Sequence, residues 1–88
     1  MASYSIRIKK SARKELEAVD TKADRRRIVN RIASLAENPR PIGAVKLSGQ
    51  ERYRIRQGKY RILYAIRDRE LVVFVIRVAH RKDVYRAV

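Results

Sequence analysis

The residues of this chain that could do chemistry are arginines at alternate positions and a tyrosine at the end of the same stretch. From Arg52 the sequence reads RYRIRQGKYRILYAIRDRELVVFVIRVAHRKDVYR. Arg52, Arg54 and Arg56 alternate with Tyr53 and Ile55. Arg61, Leu63, Ala65 and Arg67 alternate with Tyr60, Ile62, Tyr64 and Ile66. The stretch ends where the only histidine, His80, falls together with Arg81, Lys82, Tyr85 and Arg86. Guanidinium forks match phosphate oxygens with two hydrogen bonds. There is no glycine-rich phosphate loop, since Gly43, Gly49 and Gly58 sit in loops and turns. One histidine and no cysteine leave no zinc site. Asp83 is the only acid near the cationic end, which excludes a paired-carboxylate mechanism, and a two-metal nuclease would need clustered carboxylates. What remains is a cation-rich site needing neither metal nor cofactor. Such a site suits attack on an RNA phosphate by the neighbouring 2′-hydroxyl. The nucleophile is already in the substrate. The protein must take its proton, stabilise the charge gathering on phosphorus and see the departing 5′-oxygen protonated.

Charge supports a polyanionic partner. Lys and Arg total 23 against 9 acids, a formal net charge of +14 on 88 residues. Such a field attracts nucleic acid and opposes self-association. An anionic membrane surface fits less well, because no strongly amphipathic Trp/Phe-rich helix is visible. No apolar run approaches the roughly 20 residues of a membrane span, and MASYSIRIKK has no apolar core of signal-peptide length. The absence of cysteine fits a reducing cytoplasm. The length predicts one domain over residues 1–88.

These side chains must be positioned by a sheet. Gln57-Gly58 and Asp68-Arg69 divide the stretch into three runs rich in Ile, Val, Tyr and Phe, the pattern of three consecutive antiparallel strands. Alternation turns Tyr53, Ile55, Tyr60, Ile62, Tyr64 and Ile66 towards a core and the arginines the other way. The third run, Leu71–Val78, is apolar at nearly every position, which predicts a central strand covered on both faces. Upstream, Tyr4, Ile6 and Ile8 alternate with polar residues as a short first strand. Ser11 is a candidate cap for a helix with Ala12, Leu16 and Val19 on one face. Thr21 with Asp24 resembles a capping box for a second helix carrying Ile28, Ile32 and Leu35 and ending before Asn38-Pro39. Val45-Lys46-Leu47 reads as a brief extended piece within the following loop. The order is β-α-α-β-β-β, an α+β domain with a two-helix hairpin on one face of a mostly antiparallel sheet.

The run KLSGQERYRIRQGKYRILYAIRDRELVVFVIRVAHRKDVY resembles the RelE family of the RelE/ParE toxin superfamily. Lys46-Leu47, the Tyr-Arg-Ile-Arg strand, Gly58-Lys59-Tyr60-Arg61 and the Val-Ala-His-Arg-Lys-Asp-Val-Tyr tail carry the likeness, and with the upstream elements it covers nearly the whole chain. The resemblance implies a toxin of a type II toxin–antitoxin pair that cleaves mRNA in the ribosomal A site. It implies binding to ribosomal RNA and mRNA, and neutralisation by a cognate acidic, RelB-like antitoxin. Carried over by position, Arg54 and Arg56 match the basic strand pair that contacts substrate, with Lys46 beside them. Arg61 matches the arginine that holds the scissile phosphate, Arg81 the tail arginine of charge stabilisation or leaving-group protonation, and Tyr85 the proposed general base. Arg26, with Arg25 and Arg27, offers a grip on ribosomal RNA or on the antitoxin. Arg replaces Lys in the strand pair, and the tail is shorter than the best-studied pattern, so the Arg81 position could belong to His80.

Physical chemistry separates these roles. Arginine stays protonated above about pH 12, so it is no proton donor at neutrality, whereas His80 has a reference pKa of about 6.5. Tyr85 is a poor base at about 10, but cations within roughly 4–6 Å favour its phenolate and can lower that value by about 1–3 units. Two other readings stand beside the ribonuclease: a ParE-like toxin that inhibits DNA gyrase on the same fold, and a nucleic-acid-binding module without catalysis.

Overall fold

A computed structural model describes residues 3–47 and 51–80 of the chain. Its elements are β1 (Ser5–Ile8), α1 (Lys10–Glu17), α2 (Lys22–Ser34), β2 (Val45–Lys46), β3 (Arg52–Gln57), β4 (Tyr60–Arg67), a 3₁₀ turn (Asp68–Glu70) and β5 (Val72–His80). The five strands form one sheet in the order β1-β5-β4-β3-β2, with β1 parallel to β5 and every other pair antiparallel. The α+β architecture and its β-α-α-β-β-β order therefore stand, with Val45-Lys46 adding a short edge strand.

Alternation decides the two faces. Tyr53, Ile55, Ile62, Tyr64, Ile66, Val73, Val75 and Val78 form the covered face, and Ala12, Val19, Ile28, Ile32 and Leu35 of the helical layer close over it. Tyr64 is fully buried and stacks on Tyr53, centroids 5.8 Å apart and planes 22° apart, so both are core residues. The Tyr64 hydroxyl donates to the Pro39 carbonyl at 2.7 Å, and burial pushes its pKa up to about 12.

The helix starts differ from the sequence expectation in two respects. Thr21 Oγ1 accepts from the Asp24 amide at 3.0 Å and caps α2, while the Asp24 carboxylate turns to Arg27 instead of closing the box. Ser11 does not cap α1. The Lys9 amide bonds to the Val75 carbonyl at 2.9 Å, so the strand ladder runs straight into the helix, and Ser11 lies inside its first turn.

The β5 strand is interior to the sheet, but helices cover only one of its faces among the described residues. Its apolar run has another cause. Leu63 stands opposite Arg77 and Tyr64 opposite Val75, leaving Ile76 as an extra residue, a β-bulge. The bulge reverses the alternation, so Val73, Val75 and Val78 all face the core.

Past Ile8↔Val75 no strand among the described residues covers the outer edge of β5. Glu15 of α1 takes over there: its Oε1 accepts from the Val78 amide at 2.9 Å, and its Oε2 lies 3.5 Å from Arg77 Nε. A buried backbone donor left without an acceptor costs about 1–3 kcal/mol.

The loop before β2 is fastened by Arg40. Its guanidinium reaches both oxygens of Asp68 (3.2 and 2.9 Å), Glu51 Oε2 (3.2 Å) and the Tyr53 hydroxyl (3.0 Å). The Tyr4 hydroxyl donates to Asp68 at 2.6 Å, that of Tyr53 to Glu51 at 2.9 Å, and Lys46 Nζ lies 3.2 Å from Glu51. The cluster ties the entry to β1 to β2, β3 and the end of β4. Hydrogen bonds from Arg40, then Tyr4, hold the Asp68 carboxyl at about 2, below its ordinary 3.8.

Two stability measurements check these contacts. Glu15→Ala should lower unfolding free energy in urea by about 1–3 kcal/mol, with Glu15→Gln costing less because it retains an acceptor. The depressed Asp68 pKa means its contribution is complete above about pH 4 and is lost as pH falls towards about 2. Asp68→Asn should thus be less stable than wild type at neutral pH, with the gap narrowing across that acid window. A gap independent of pH would remove Asp68 from the ionic cluster.

Candidate nucleic-acid interface

The face away from the helices gathers the arginines. β3 and β4 are joined by Gly58-Lys59, with Gly58 at φ +59° and Lys59 outside the positive-φ region. That is the pattern of a II′ hairpin, which needs glycine at its first central position and matches the natural twist of the strands. The tight turn fixes register: Arg56 stands directly opposite Arg61, and Arg54 opposite Leu63. Leu63 in turn stands opposite Arg77, and Arg61 opposite Ala79. Directly paired residues share a face, so Arg54, Arg56, Arg61 and Arg77 lie together, with Arg52 further along β3.

The Arg56–Arg61 pair is electrostatically unfavourable within the protein. Like charges opposite one another on adjacent strands destabilise a sheet, by an amount comparable to the roughly 0.2–1 kcal/mol an opposite-charge pair contributes. Among the described residues neither forms an ion pair, and the Nε of Arg61 is buried without a hydrogen-bond partner. Arg61 is half-buried and Arg56 exposed. An anion between them converts repulsion into two charge-assisted contacts. A phosphodiester has the charge and the oxygens to do so.

The floor beside this pair is apolar. Leu63 and Ala79 are buried on the arginine side, with Leu47 packed against them. A trough of about 480 Å³ extends from Leu47 and Arg52 past Leu63 to Arg77 and Glu15. Glu15 is its one carboxylate, held by Arg77 and the Val78 amide.

Three expected site residues lie elsewhere. His80 stands opposite Tyr60, and the rings meet edge-on with centroids 5.8 Å apart. Tyr60 shares the covered face with Ile62 and Tyr64, so the structure does not bring His80 together with Arg61. The bulge at Ile76 is the cause, because strict alternation from Val75 would have put His80 among the arginines. Lys46 pairs in register with Tyr53 and salt-bridges Glu51, which turns it to the covered side. Arg26 is exposed on α2, across the sheet from the open face. Arg81 and Tyr85 lie outside the described residues.

Glu15, Arg77 and Arg40 received no role from sequence reasoning. A signal existed for Arg77, the lone charge within an apolar strand. None existed for Glu15 or Arg40, whose partners are distant in the chain.

The comparisons with known proteins agree with this geometry. The family described as ParE toxin of type II toxin-antitoxin system, parDE, matches residues 6–85. Toxin RelG of Mycobacterium tuberculosis is 30% identical over 86 residues, spanning 94% of this chain and 97% of the relative. Among solved structures, the archaeal RelE–RelB complex from Pyrococcus horikoshii superimposes with a TM-score of 0.81 at 28% identity, covering 90% of this chain and 96% of that one. The isolated E. coli RelE toxin gives a TM-score of 0.75 at 29% identity, covering 97% and 93%. The helix-covered sheet is thus shared in fold, and the chain in sequence, with proteins of one kind: the chain belongs to the RelE/ParE superfamily and is a RelE-family toxin of a type II toxin–antitoxin system.

Proposed function

We propose that this toxin is a ribosome-dependent endoribonuclease that cleaves mRNA in the A site and arrests translation. The observation that carries the proposal is the Arg56–Arg61 pair, two cations held face to face on an open sheet without an internal counter-ion among the described residues. The scissile phosphate lies between these guanidiniums, with Arg54 and Arg77 extending the field along the strand. Tyr85, as phenolate, takes the proton of the 2′-hydroxyl. The 2′-oxygen attacks phosphorus, the bond to the 5′-oxygen breaks, and that oxygen leaves with a proton. The products are a 2′,3′-cyclic phosphate and a 5′-hydroxyl. The arginines stabilise the charge that builds on the non-bridging oxygens, and Arg81 adds to that field. Arg81 stays protonated at neutrality and His80 stands on the covered side opposite Tyr60, so the leaving proton comes from water. The ribosome contributes by aligning the 2′-oxygen with phosphorus, which places the activity in the cytoplasm.

The RelB complexes of similar archaeal toxins, from Pyrococcus horikoshii and Methanococcus jannaschii, support an antitoxin partner for this chain. Its neutralising segment is acidic and covers the arginine face, through complementary charge and apolar contact with Leu63 and Leu47.

A second reading follows from the matching family description, which names ParE toxins. A ParE-like toxin would inhibit DNA gyrase and leave mRNA intact. Mapping mRNA 5′ ends after brief expression separates the two: in-frame cuts within coding regions support the ribonuclease, and DNA damage with intact messages supports the gyrase inhibitor.

Single-turnover cleavage on programmed ribosomes tests the chemistry. Tyr85→Phe should slow it by about 10²–10⁴-fold with little change in stability. Arg61→Ala should also slow it, through lost phosphate stabilisation. His80→Gln should be nearly silent, and wild-type cleavage should show no falling limb near a histidine pKa. Near-normal cleavage by Tyr85→Phe would sink its role as base. Neutralisation is tested separately. Arg56→Glu should weaken antitoxin binding at low salt, with the difference shrinking as salt rises. Equal affinity at every salt concentration would move the antitoxin off this face.

A further inference from the structure

The open face carries a second feature, at the end of the sheet away from the β3–β4 hairpin. Phe74 is the only phenylalanine in the chain. It stands opposite Ala65 on β4 and beside Arg7 on β1, so its ring is on the arginine side. It is half-buried and belongs to neither apolar cluster. A phenylalanine normally contributes by burying a large ring; this one lines a hollow of about 520 Å³ with Arg7, Arg67, Val72 and Glu70. Arg67 is 3.8 Å from Glu70, and Arg7 has no ion pair among the described residues. An aromatic ring on an exposed sheet face, flanked by guanidiniums, has the composition of a single-strand nucleic-acid platform: bases stack on the ring while the cations hold the backbone.

We infer that Phe74, Arg7 and Arg67 form a nucleotide-binding subsite for single-stranded RNA, continuous with the phosphate site at Arg56–Arg61. The inference rests on the ribonuclease reading for the identity of that strand. The two sites share one face. Arg61 and Ala65 are four residues apart on β4, which places the Phe74 row about 13 Å from the Arg61 row at ~3.3 Å per residue. A strand with its scissile phosphate between Arg56 and Arg61 reaches Phe74 within about four nucleotides at the ~3.4 Å spacing of a stacked strand, and within fewer when extended. Phe74 would then stack a base without reading its edges. Its contribution is to affinity and to the direction in which the message crosses the sheet, while choice of sequence falls to other contacts.

The test uses the full-length protein and a fluorescein-labelled single-stranded RNA carrying 2′-O-methyl groups throughout, so that no bond can be cut. Phe74→Leu keeps apolar bulk and loses the stacking face; it should bind about tenfold more weakly, within the range of base–aromatic stacking. Phe74→Tyr should bind like wild type. Arg7→Ala should reduce the slope of log affinity against log salt by about 0.7. An independent readout uses the unmodified protein. RNA with 2-aminopurine at successive positions should lose fluorescence at one position on binding, and Phe74→Tyr should preserve that position. Unchanged RNA affinity in Phe74→Leu, with melting behaviour intact, would overturn the inference. So would unchanged RNA affinity with weakened antitoxin binding, which would mark the patch as a protein contact. Should Phe74→Leu fail to fold, the absence of any position-specific fluorescence change in wild type would overturn it. Because this RNA cannot be cleaved, the result is independent of the Tyr85 and Arg61 cleavage measurements. Loss of the cleavage reading with a retained Phe74 effect, and the reverse, are distinguishable outcomes.

Discussion

A β-strand cannot turn one side chain without turning its neighbours, and this toxin depends on that constraint. On β4, Ile62, Tyr64 and Ile66 must enter the core beneath the helices, so Arg61, Leu63, Ala65 and Arg67 must leave it. The residues that stabilise the fold thereby aim the arginines at the open face. β3 obeys the same rule in register with β4, and the two-residue turn at Gly58-Lys59 sets that register so that Arg56 meets Arg61 and not a carboxylate. The repulsion of that pair is small beside the burial of the covered face, where a fully buried Ile or Val contributes about 1.5–3 kcal/mol. The core can therefore hold together two charges that would otherwise separate.

The placement of acids complements this arrangement. With 9 acids for 23 cations, most arginines and lysines have no partner available, and those that do are in particular places. Asp68 and Glu51 converge on Arg40, where they fasten the loop before β2 to the mouths of three strands. Glu15 serves an edge amide and Arg77 together. Neither arrangement brings a carboxylate to Arg56 or Arg61. The fold uses its negative charge where backbone must be held, and leaves the hairpin end of the open sheet positive.

How much of this was legible in the sequence depends on the range of the interaction. Period-two alternation in Tyr60–Arg67 and the Gln57-Gly58 turn are local, and they were sufficient to predict three strands, the core tyrosines and the outward arginines. The Thr21 cap is equally local. The apolar run in β5 misled, because a continuous hydrophobic strand and a bulged one have the same composition, and only pairing with β4 distinguishes them. The positions of His80 and Lys46 were equally beyond reach: each is a question of which side of a three-dimensional layer a residue occupies, and each was grouped with the arginines by nearness in sequence or by charge. Arg40 and Glu15 act across 28 and 63 residues of separation, where no pattern in the chain points from one partner to the other.

The bulge at Ile76 acts as a change of parity in the chain. Before it, odd-numbered positions of β5 point to the core; after it, even-numbered positions do. The same residues paired without the bulge would form the same strands, yet would exchange Arg77 and Ala79 for Val78 and His80 on the open face. That pairing would place an imidazole beside the arginines of the open face and bury a guanidinium under the helices. Deleting Ile76 would remove the bulge and still leave Arg77 opposite Leu63, so both faces would keep their residues. Losing the bulge while keeping every residue inverts the chemical character of both surfaces at once, and a toxin of this family that relied on a histidine acid could differ from this one by nothing more than the pairing of one strand.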